Sequence, residues 1–477
     1  MPEAEIRFHN SLTKTKEVFK PIRRGWVYFY ACGPTVYQYA HIGNLRTYIF
    51  EDILKRTLEY AGFRVKHIMN ITDVGHLTSD ADTGEDKVEQ AAKKAHKSVK
   101  EITQFYAQAF QDDLKKLNIE PPTKYAWASR YIRPQIQLIQ QLEKKGFTYQ
   151  TADGIYFDTA KLPDYGKLKA PSEGQARVEH SRAKRSPHDF ALWKFSLPAS
   201  SPEALSESET HPSRRPAQRD EKRQQEWPSP WGVGYPGWHL ECSAISTKEL
   251  GQPFDIHTGG EDHIGTHHNN EIAQSEAAYD KPLANYWLHS AFLLTKDDKM
   301  SKSKGNFITL ASLEQMGYDP LVYRYLAISS HYRSKLNFSE EALQGAQNSL
   351  NKLRDLFAVR ARSGRVIMSA RKAFSLAIND DLNIPEALAT MWALVKSDNS
   401  LADKQATILD FDRVLGLNLK NYRPPVIPKE VIDLANQRER SRDVQDWAKS
   451  DELRKLIEAK GYQVLDTDFG YTIKPKH

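Results

Sequence analysis

The sequence predicts an α/β protein: a Rossmann-like parallel-sheet domain carrying an insertion, then an all-α helical domain and a small C-terminal α+β module. Three observations predict it. Trp26–Ala31 (WVYFYA) is a nearly continuous apolar run of strand length, the pattern of a strand buried on both faces. Leu45, Ile49 and Ile53, with Phe50, Leu54 and Leu58, then recur at helical spacing up to Gly62, and Phe63–Ile71 returns as a strand. From Ser339 to about Leu415 the pattern is helical again, as Leu343, Leu350, Leu353 and Phe357 illustrate.

Strand, helix and strand in that order make a βαβ unit with parallel strands. The first strand breaks at Cys32-Gly33-Pro34, and Asn44 precedes the helix. Periodicity is helical from about Glu101 to Lys145, and Tyr149–Leu192 reads as short strands and turns. Residues 197–229 are rich in Ser, Pro, Glu, Arg and Gln and nearly free of apolar side chains, the composition of a flexible insertion. The apolar pattern resumes by Trp231 and continues to about Asn337. Pro424, Pro425 and Pro428 mark a linker, followed by one or two helices and a short β-like end.

A chain of 477 residues is too long for one core and suggests two to four domains. With 40% hydrophobic and 27% charged residues it is neither disordered nor fibrous. No apolar run approaches the roughly 20 residues of a membrane span, and the N-terminus lacks a leader-like apolar core, so a cytoplasmic location is expected. The net charge of +6 suits a polyanionic partner without demanding one. Only two cysteines are present, Cys32 and Cys242, and a structural disulfide is not expected in such a chain.

Two segments carry nucleotide chemistry. His41-Ile42-Gly43-Asn44 lies between the buried strand and the helix start. Gly43 would let the backbone approach a ligand, the helix N-terminus offers free N–H groups to phosphate, and His41 can donate to a phosphate oxygen. The tetrapeptide alone does not separate this role from a loop histidine capping a helix. Lys299-Met300-Ser301-Lys302-Ser303-Lys304-Gly305-Asn306 interleaves lysines with hydroxyls, as a cationic loop facing a triphosphate would. A third set is of metal-ligand type: Cys32, Cys242, and His267 with Glu271 four residues on, a plausible zinc set. His257, His263 and His268 are further candidates, and spacing does not choose among them.

The HIGN and KMSKS segments, in this order on a βαβ framework, resemble the two signatures of the class I aminoacyl-tRNA synthetases. CGPTVYQYAHIGNLRT (32–47), DFALWK (189–194), WPSPWGVGYPGWHLECSAIS (227–246) and HHNNEIAQSEA (267–277) resemble the cysteine-specific branch of that family. HIGN departs from the family's HIGH at its last position, where Asn44 keeps a hydrogen-bonding group. The resemblance covers nearly the whole chain except the polar insertion.

It implies an enzyme that activates L-cysteine with ATP and Mg2+ and transfers it to tRNA(Cys), acting as a monomer. It places one zinc per subunit on Cys32, Cys242, His267 and Glu271, and catalysis on His41, Asn44, Lys299 and Lys302, with Gly43 and Asp262 also at the nucleotide. Cys32, Thr72 and Trp238 fall on the amino acid, and Arg442, Asp451 and Asp466 on the anticodon. Trp447 reads as a packing residue rather than a stacking platform.

The implied domains are 1–120 with 230–300 (two halves of a catalytic domain), 121–229 (a connective insertion, flexible at 197–229) and 301–338 (KMSKS loop and stem-contact region). A helical tRNA-binding domain at 339–422 and an anticodon-binding module at 428–477 complete the chain. Three rivals share parts of the pattern. A cysteine ligase acting on an amino sugar would lack a full anticodon-reading tail. A catalytically dead relative would not need His41, Lys302 and all four ligands. A protein with a purely structural zinc would leave both nucleotide segments unexplained.

Overall fold

The computed structural model describes residues 5–74, 86–170, 184–196, 223–295, 298–299, 307–358, 361, 363–423, 426–467 and 470–475. A short hairpin, β1 (Arg7–Asn10) and β2 (Thr15–Val18), precedes the buried strand β3 (Trp26–Ala31). Helix α1 (Ile42–Tyr60) leads to β4 (Arg64–Ile71), and α2 (Lys87–Ala95) and α3 (Val99–Lys116) lead to β5 (Lys124–Trp127). After α4 (Ile132–Lys144) comes a second sheet of β6 (Thr148–Thr151), β7 (Gly154–Phe157), β8 (Phe190–Phe195), β9 (Trp227–Ser229) and β10 (Gly232–Pro236). Its order is β6-β7-β8-β10-β9 and every pairing is antiparallel. Helix α5 (Trp238–Leu250), strand β11 (Phe254–Gly260), helix α6 (His267–Tyr279) and strand β12 (Ala284–Ser290) then complete the first sheet.

That first sheet has the order β12-β11-β3-β4-β5 and is parallel throughout. The chain fills one side of β3, then returns to fill the other, so the strand order reverses between β3 and β11. Open α/β sheets bind ligands beyond the carboxyl ends of the strands at such a reversal. Cys32 follows β3, and Gly259 and Gly260 end β11.

Beyond it, β13 (Leu293–Thr295), β14 (Asp298–Lys299) and β15 (Leu336–Phe338) form a small sheet with α7 (Leu310–Gln315) and α8 (Pro320–Ile328) between its last two strands. Helices α9 (Glu340–Asp355), α10 (Met368–Asn379), α11 (Ile384–Lys396) and α12 (Leu401–Leu415) make the helical domain. Leu343, Leu350, Leu353 and Phe357 are all buried in one apolar cluster with Phe29, Ile49 and Ile53 of the Rossmann-like unit. Helices α13 (Lys429–Asp443) and α14 (Trp447–Ala459) and the hairpin β16 (Tyr462–Thr467)–β17 (Gly470–Pro475) form the last module, with its own small core.

In its elements the structure differs from the sequence reading in three places. Strand β5 interrupts the span read as helical from Glu101 to Lys145: α3 already ends at Lys116, with Asn118 left-handed at φ 53°, and four residues are too few to display a period of two. Helix α1 begins at Ile42, before Asn44, because His41 is its N-cap. Of the segment 197–229 read as flexible, residues 197–222 lie outside the described residues, but 223–229 are placed. Arg223 is paired with Asp86 and Glu89 and lies 3.8 Å from the Tyr235 ring centre, and Trp227–Ser229 is an edge strand.

Candidate active site

Three elements converge where the sheet order reverses. Cys32 stands just past β3, Cys242 on the second turn of α5, and His267 and Glu271 one turn apart on α6, all buried. Sγ of Cys32 lies 3.9 Å from Sγ of Cys242 and 3.9 Å from Oε1 of Glu271, and Nε2 of His267 lies 3.0 Å from that same oxygen. The ligand atoms of these four residues all lie within 4.8 Å of one another. A tetrahedral zinc with bonds of about 2.0–2.3 Å requires ligand atoms this closely gathered. Two sulfurs, an imidazole and a carboxylate therefore fit a zinc ion in both chemistry and proximity.

A second group of possible ligands, Cys32, His257, His268 and Glu271, shares two members with the first. His257 Nε2 lies 2.9 Å from Oε2 of Glu271, and His268 Nε2 lies 3.3 Å from Sγ of Cys32. His268 Nδ1 meets His289 Nε2 at 2.7 Å, and His289 Nδ1 meets Ser11 Oγ at 2.8 Å. His239 Nδ1 lies 2.9 Å from His267 Nδ1. The tight packing explains Gly259: a Cβ there would come within 2.5 Å of His263 Nδ1 and 2.8 Å of His268 Cε1. His239, His289 and the buried Glu241 are the site residues that sequence reasoning missed.

Charge in the cluster is divided unevenly. Burial pushes the Cys32 thiol up, reinforced by Cys242. Burial also opposes ionisation of Cys242, but hydrogen bonds from Cys32 and His267 outweigh it and bring its pKa down to about 6. Burial disfavours charge on His267, yet Glu271 and Cys242 win and push it up to about 10. Burial would raise Glu271 as well, but His257 and His267 hold its carboxyl well below the usual range. Without an ion the four ligands thus pair a Cys242 thiolate and a Glu271 carboxylate with a His267 imidazolium, and Cys32 keeps its proton.

If the ion takes the two-sulfur set, Glu271 must present Oε1, and His257 fixes it by holding Oε2. Outer partners of this kind typically govern metal affinity by 10–100-fold. His257→Phe is therefore expected to weaken zinc binding by about tenfold or more, measured by competition with a chromophoric chelator. An unchanged affinity would remove His257 from that role.

The HIGN segment forms a reciprocal cap on α1. His41 Nδ1 accepts from the Asn44 N–H at 3.0 Å, and Asn44 Oδ1 accepts from the His41 N–H at 3.3 Å. Because Nδ1 is an acceptor, the proton of a neutral His41 sits on Nε2, which leaves that edge a donor. Gly43 lies under the imidazole, where a Cβ would come within 3.0 Å of the ring. The cap and the phosphate role are thus compatible: one nitrogen holds the helix while the other can donate. Met300–Asn306, with Lys302, lies outside the described residues, as does the Lys299 side chain. The segment that follows them does meet the cap: Ile42 N–H donates to Ile308 O at 2.9 Å, and Phe307 stands edge-on to His41 at 5.4 Å.

Around the cluster, Trp238 stacks on His267 at 4.3 Å between ring centres. Thr72 is buried; its hydroxyl donates to Glu241 Oε2 at 2.7 Å and accepts from Asn70 Nδ2 at 3.0 Å, and Asn70 Oδ1 accepts from the Gly33 N–H at 2.7 Å. This chain of bonds ties the Cys32-Gly33 turn to the ends of β4 and α5. Asp262 is exposed in a single 3-10 turn directly after β11.

A family description, "tRNA synthetases class I (C) catalytic domain", matches residues 18–207 and 217–348. Cysteine–tRNA ligase 1 of Burkholderia lata is 48% identical over 472 residues, covering 98% of this chain and 96% of that protein. The chain belongs to the cysteine–tRNA ligase family. Cysteine–tRNA ligases of Zymomonas mobilis (40% identical over 531 residues, 100% of this chain and 99% of that one) and Novosphingobium aromaticivorans (41% over 500, 98% and 96%) agree. Among solved structures the fold is similar to an Agrobacterium radiobacter LeuRS–tRNA–LeuAMS complex, with a TM-score of 0.54 at 12% identity over 84% of this chain and 85% of that one. A methionyl-tRNA synthetase of Mycobacterium tuberculosis with methionyl-adenylate gives 0.50 at 15%, over 82% and 90%. Among the described residues no helix is long and apolar enough to cross a membrane.

Membership in this family gives the C-terminal module its interest. Arg438 is wholly buried and makes two bonds to Asp466, Nη1 to Oδ1 at 2.7 Å and Nη2 to Oδ2 at 3.0 Å. Arg442 and Arg454 also reach Oδ2, at 3.0 and 3.4 Å. Arg438 is thus a buried residue of the module rather than part of its surface. Trp447, read as a packing residue, is 57% exposed, with the Arg442 guanidinium 5.8 Å from its ring centre. It opens α14 directly after the α13–α14 turn, which leaves its ring outside the small core. Asp451 is exposed on α14.

Proposed function

We propose that this chain activates L-cysteine with ATP to cysteinyl-adenylate and transfers the cysteinyl group to the 3′ end of tRNA(Cys). The observation that carries this reading is the convergence of a zinc-type ligand cluster and a capped helix N-terminus at one sheet reversal, in a chain of this family. Cys32, Cys242, His267 and Glu271 would hold the zinc. When bound, it supplies a soft acceptor for the substrate's thiolate, which the hydroxyl of serine cannot match.

The remaining work is positioning and charge stabilisation. The cysteine carboxylate attacks the α-phosphorus of Mg2+-bound ATP, and pyrophosphate leaves. His41 donates from Nε2 to a phosphate oxygen, in the orientation its bond to the Asn44 N–H imposes. Gly43 allows close approach, the positive end of the α1 dipole lies toward the anion, and Lys299 and Lys302 meet the charge that develops on the leaving phosphates. Trp238, stacked on His267, bounds the side-chain pocket, and Thr72 and Asp262 lie toward the amino acid and the ribose. The adenylate is then attacked by a hydroxyl of the terminal tRNA ribose. Arg442, Asp451 and Asp466 serve the anticodon in the last module, with Arg438 fixing Asp466 from behind.

Charging of a tRNA(Cys) transcript with radiolabelled cysteine and ATP, run beside serine, tests the reading. Cysteine-only charging is expected. Cysteine-dependent ATP–pyrophosphate exchange without charging would move the reading to a ligase with another acceptor, and neither activity in metal-replete protein would overturn it. Lys302→Ala is expected to lower adenylate formation by about a hundredfold or more, the range for removing one transition-state charge partner, with little change in cysteine affinity. Stopped-flow chemistry beside equilibrium binding checks this, and equal losses in both would refute the assignment.

A further inference from the structure

Outside the ligand cluster and the helix cap, the surface beside the HIGN loop carries an aromatic group whose inner ring, Tyr106, packs on the core while Tyr39 and Phe105 stand outside it. Tyr39 and Phe105 are each 48% exposed, although both are large and largely apolar. Tyr39, two residues before His41, stands edge-on to Phe105 at 6.1 Å and to Tyr106 at 5.2 Å, and Phe105 and Tyr106 are edge-on at 5.1 Å. The cluster joins the HIGN loop to the first half of α3. Its rim is cationic: Lys97 Nζ lies 5.5 Å from the Phe105 ring centre, and Lys87 Nζ lies 6.0 Å from that of Tyr37 on the same loop. Lys93, Lys94 and Lys100 fall in the same stretch of α2 and α3. Of the nearby acids, Asp86 and Glu89 are paired with Arg223, and Glu101 caps α3 at Ser98 beside Lys97, so the lysines of this stretch outnumber the acids left to offset them.

We propose that Tyr39 and Phe105, with Lys97, form a platform for the unpaired 3′ terminus of the tRNA as it enters beside His41. Exposed rings interleaved with lysines are what a single-stranded nucleic acid requires: any base can stack on the rings, and the cations meet the backbone. The position fits the same occupant. Transfer requires the terminal ribose to reach the adenylate, and the adenylate must lie at the α1 N-terminus, which follows directly from the Tyr39 loop. A duplex has no unstacked bases to offer these rings, so the partner is the single-stranded end rather than the acceptor stem. The inference rests on the activity proposed above.

The test compares wild-type protein with the double variant Tyr39→Ala/Phe105→Ala. Two tRNA(Cys) transcripts are used, one complete and one ending at the last base pair of the acceptor stem. Loss of the rings is expected to raise KM for complete tRNA by about tenfold or more, as for loss of a stacked base, while ATP–pyrophosphate exchange without tRNA stays within about twofold. Binding of the truncated tRNA should not distinguish the two proteins. Tyr39→Phe/Phe105→Tyr should restore KM, and Lys97→Ala should reduce the salt slope of tRNA binding by about one. An unchanged KM would overturn the inference and leave the patch to another class of partner. An equal loss with truncated tRNA would overturn it in favour of a stem contact, and a parallel fall in exchange would make the rings structural. If the wild-type protein itself charges no tRNA, it is the proposed activity that fails.

Discussion

Cys242→Ser is expected to lower kcat/KM for cysteine activation by well over a hundredfold and to lower zinc content with it. Replacing an outer partner of a metal ligand typically costs 10–100-fold, so exchange of a direct soft ligand for a hard, shorter one should exceed that range. The fold should survive, because the exchange keeps a small polar side chain on α5. Metal analysis beside ATP–pyrophosphate exchange decides: full zinc occupancy with unimpaired exchange would remove Cys242 from the ligand set.

The protonation pattern adds an independent check on the same site. Cys32 is held as a thiol and His267 as an imidazolium. Both must give up a proton before their ligand atoms can bind an ion, whereas Cys242 and Glu271 are already anionic near neutral pH. Zinc binding near pH 7.5 should therefore release about two protons, and affinity should fall as pH falls. Calorimetry in buffers of different ionisation enthalpy counts them.

The strength of each sequence reading follows from where its signal lay. Trp26–Ala31 is legible because a strand buried on both faces needs no alternation, only an apolar run, and β3 occupies those same residues. The start of α1 was misplaced because its capping box uses His41 and Asn44 in place of the usual hydroxyl and carboxylate. Glu241 carries no local signal: an acid on a helix reads as solvated, and only the tertiary structure shows it buried against Thr72. The four ligands come from a strand end and two helices. Their residue types are visible in sequence, but the gathering of His257, His267 and His268 around Glu271 and Cys32 is tertiary, and distances narrow the candidates to two overlapping sets that no spacing encodes. Trp447 reverses the usual prior, since tryptophan is more often packed than exposed.

How the catalytic and helical domains are held together leads to the second large effect, Asp52→Asn. Asp52 is fully buried on α1, one side of which carries the HIGN cap at its start. Its Oδ2 accepts from Arg324 Nη2 at 2.6 Å and Arg56 Nε at 2.8 Å, and its Oδ1 accepts from the Glu120 N–H at 2.8 Å. Arg324, also fully buried, donates onward to the Leu415 carbonyl at 2.8 Å and the Leu117 carbonyl at 3.1 Å. The Leu415 carbonyl belongs to the C-terminal end of α12, where the helix dipole favours a cation. Gly416 leaves room: at φ 64° it ends the helix, and a Cβ would lie 2.3 Å from Arg324 Nη2. One carboxylate thus ties α1 and α8 through Arg324 to the end of the helical domain.

Removing that charge leaves the Arg324 guanidinium buried without its counter-ion, at a cost of about 3–5 kcal/mol. Burial would raise the Asp52 pKa, but Arg324 and Arg56 outweigh it and hold the carboxyl below its ordinary value. A depressed folded-state pKa contributes stability above the unfolded value of about 3.9 and loses it as pH falls through the folded one. The gap between wild type and Asp52→Asn should therefore be full at pH 7 and close below about pH 4. Urea unfolding at several pH values measures it. A difference under about 1 kcal/mol at pH 7, or one that does not depend on pH, would show that the carbonyls alone hold Arg324 and that Asp52 is not what fixes α1 against the helical domain.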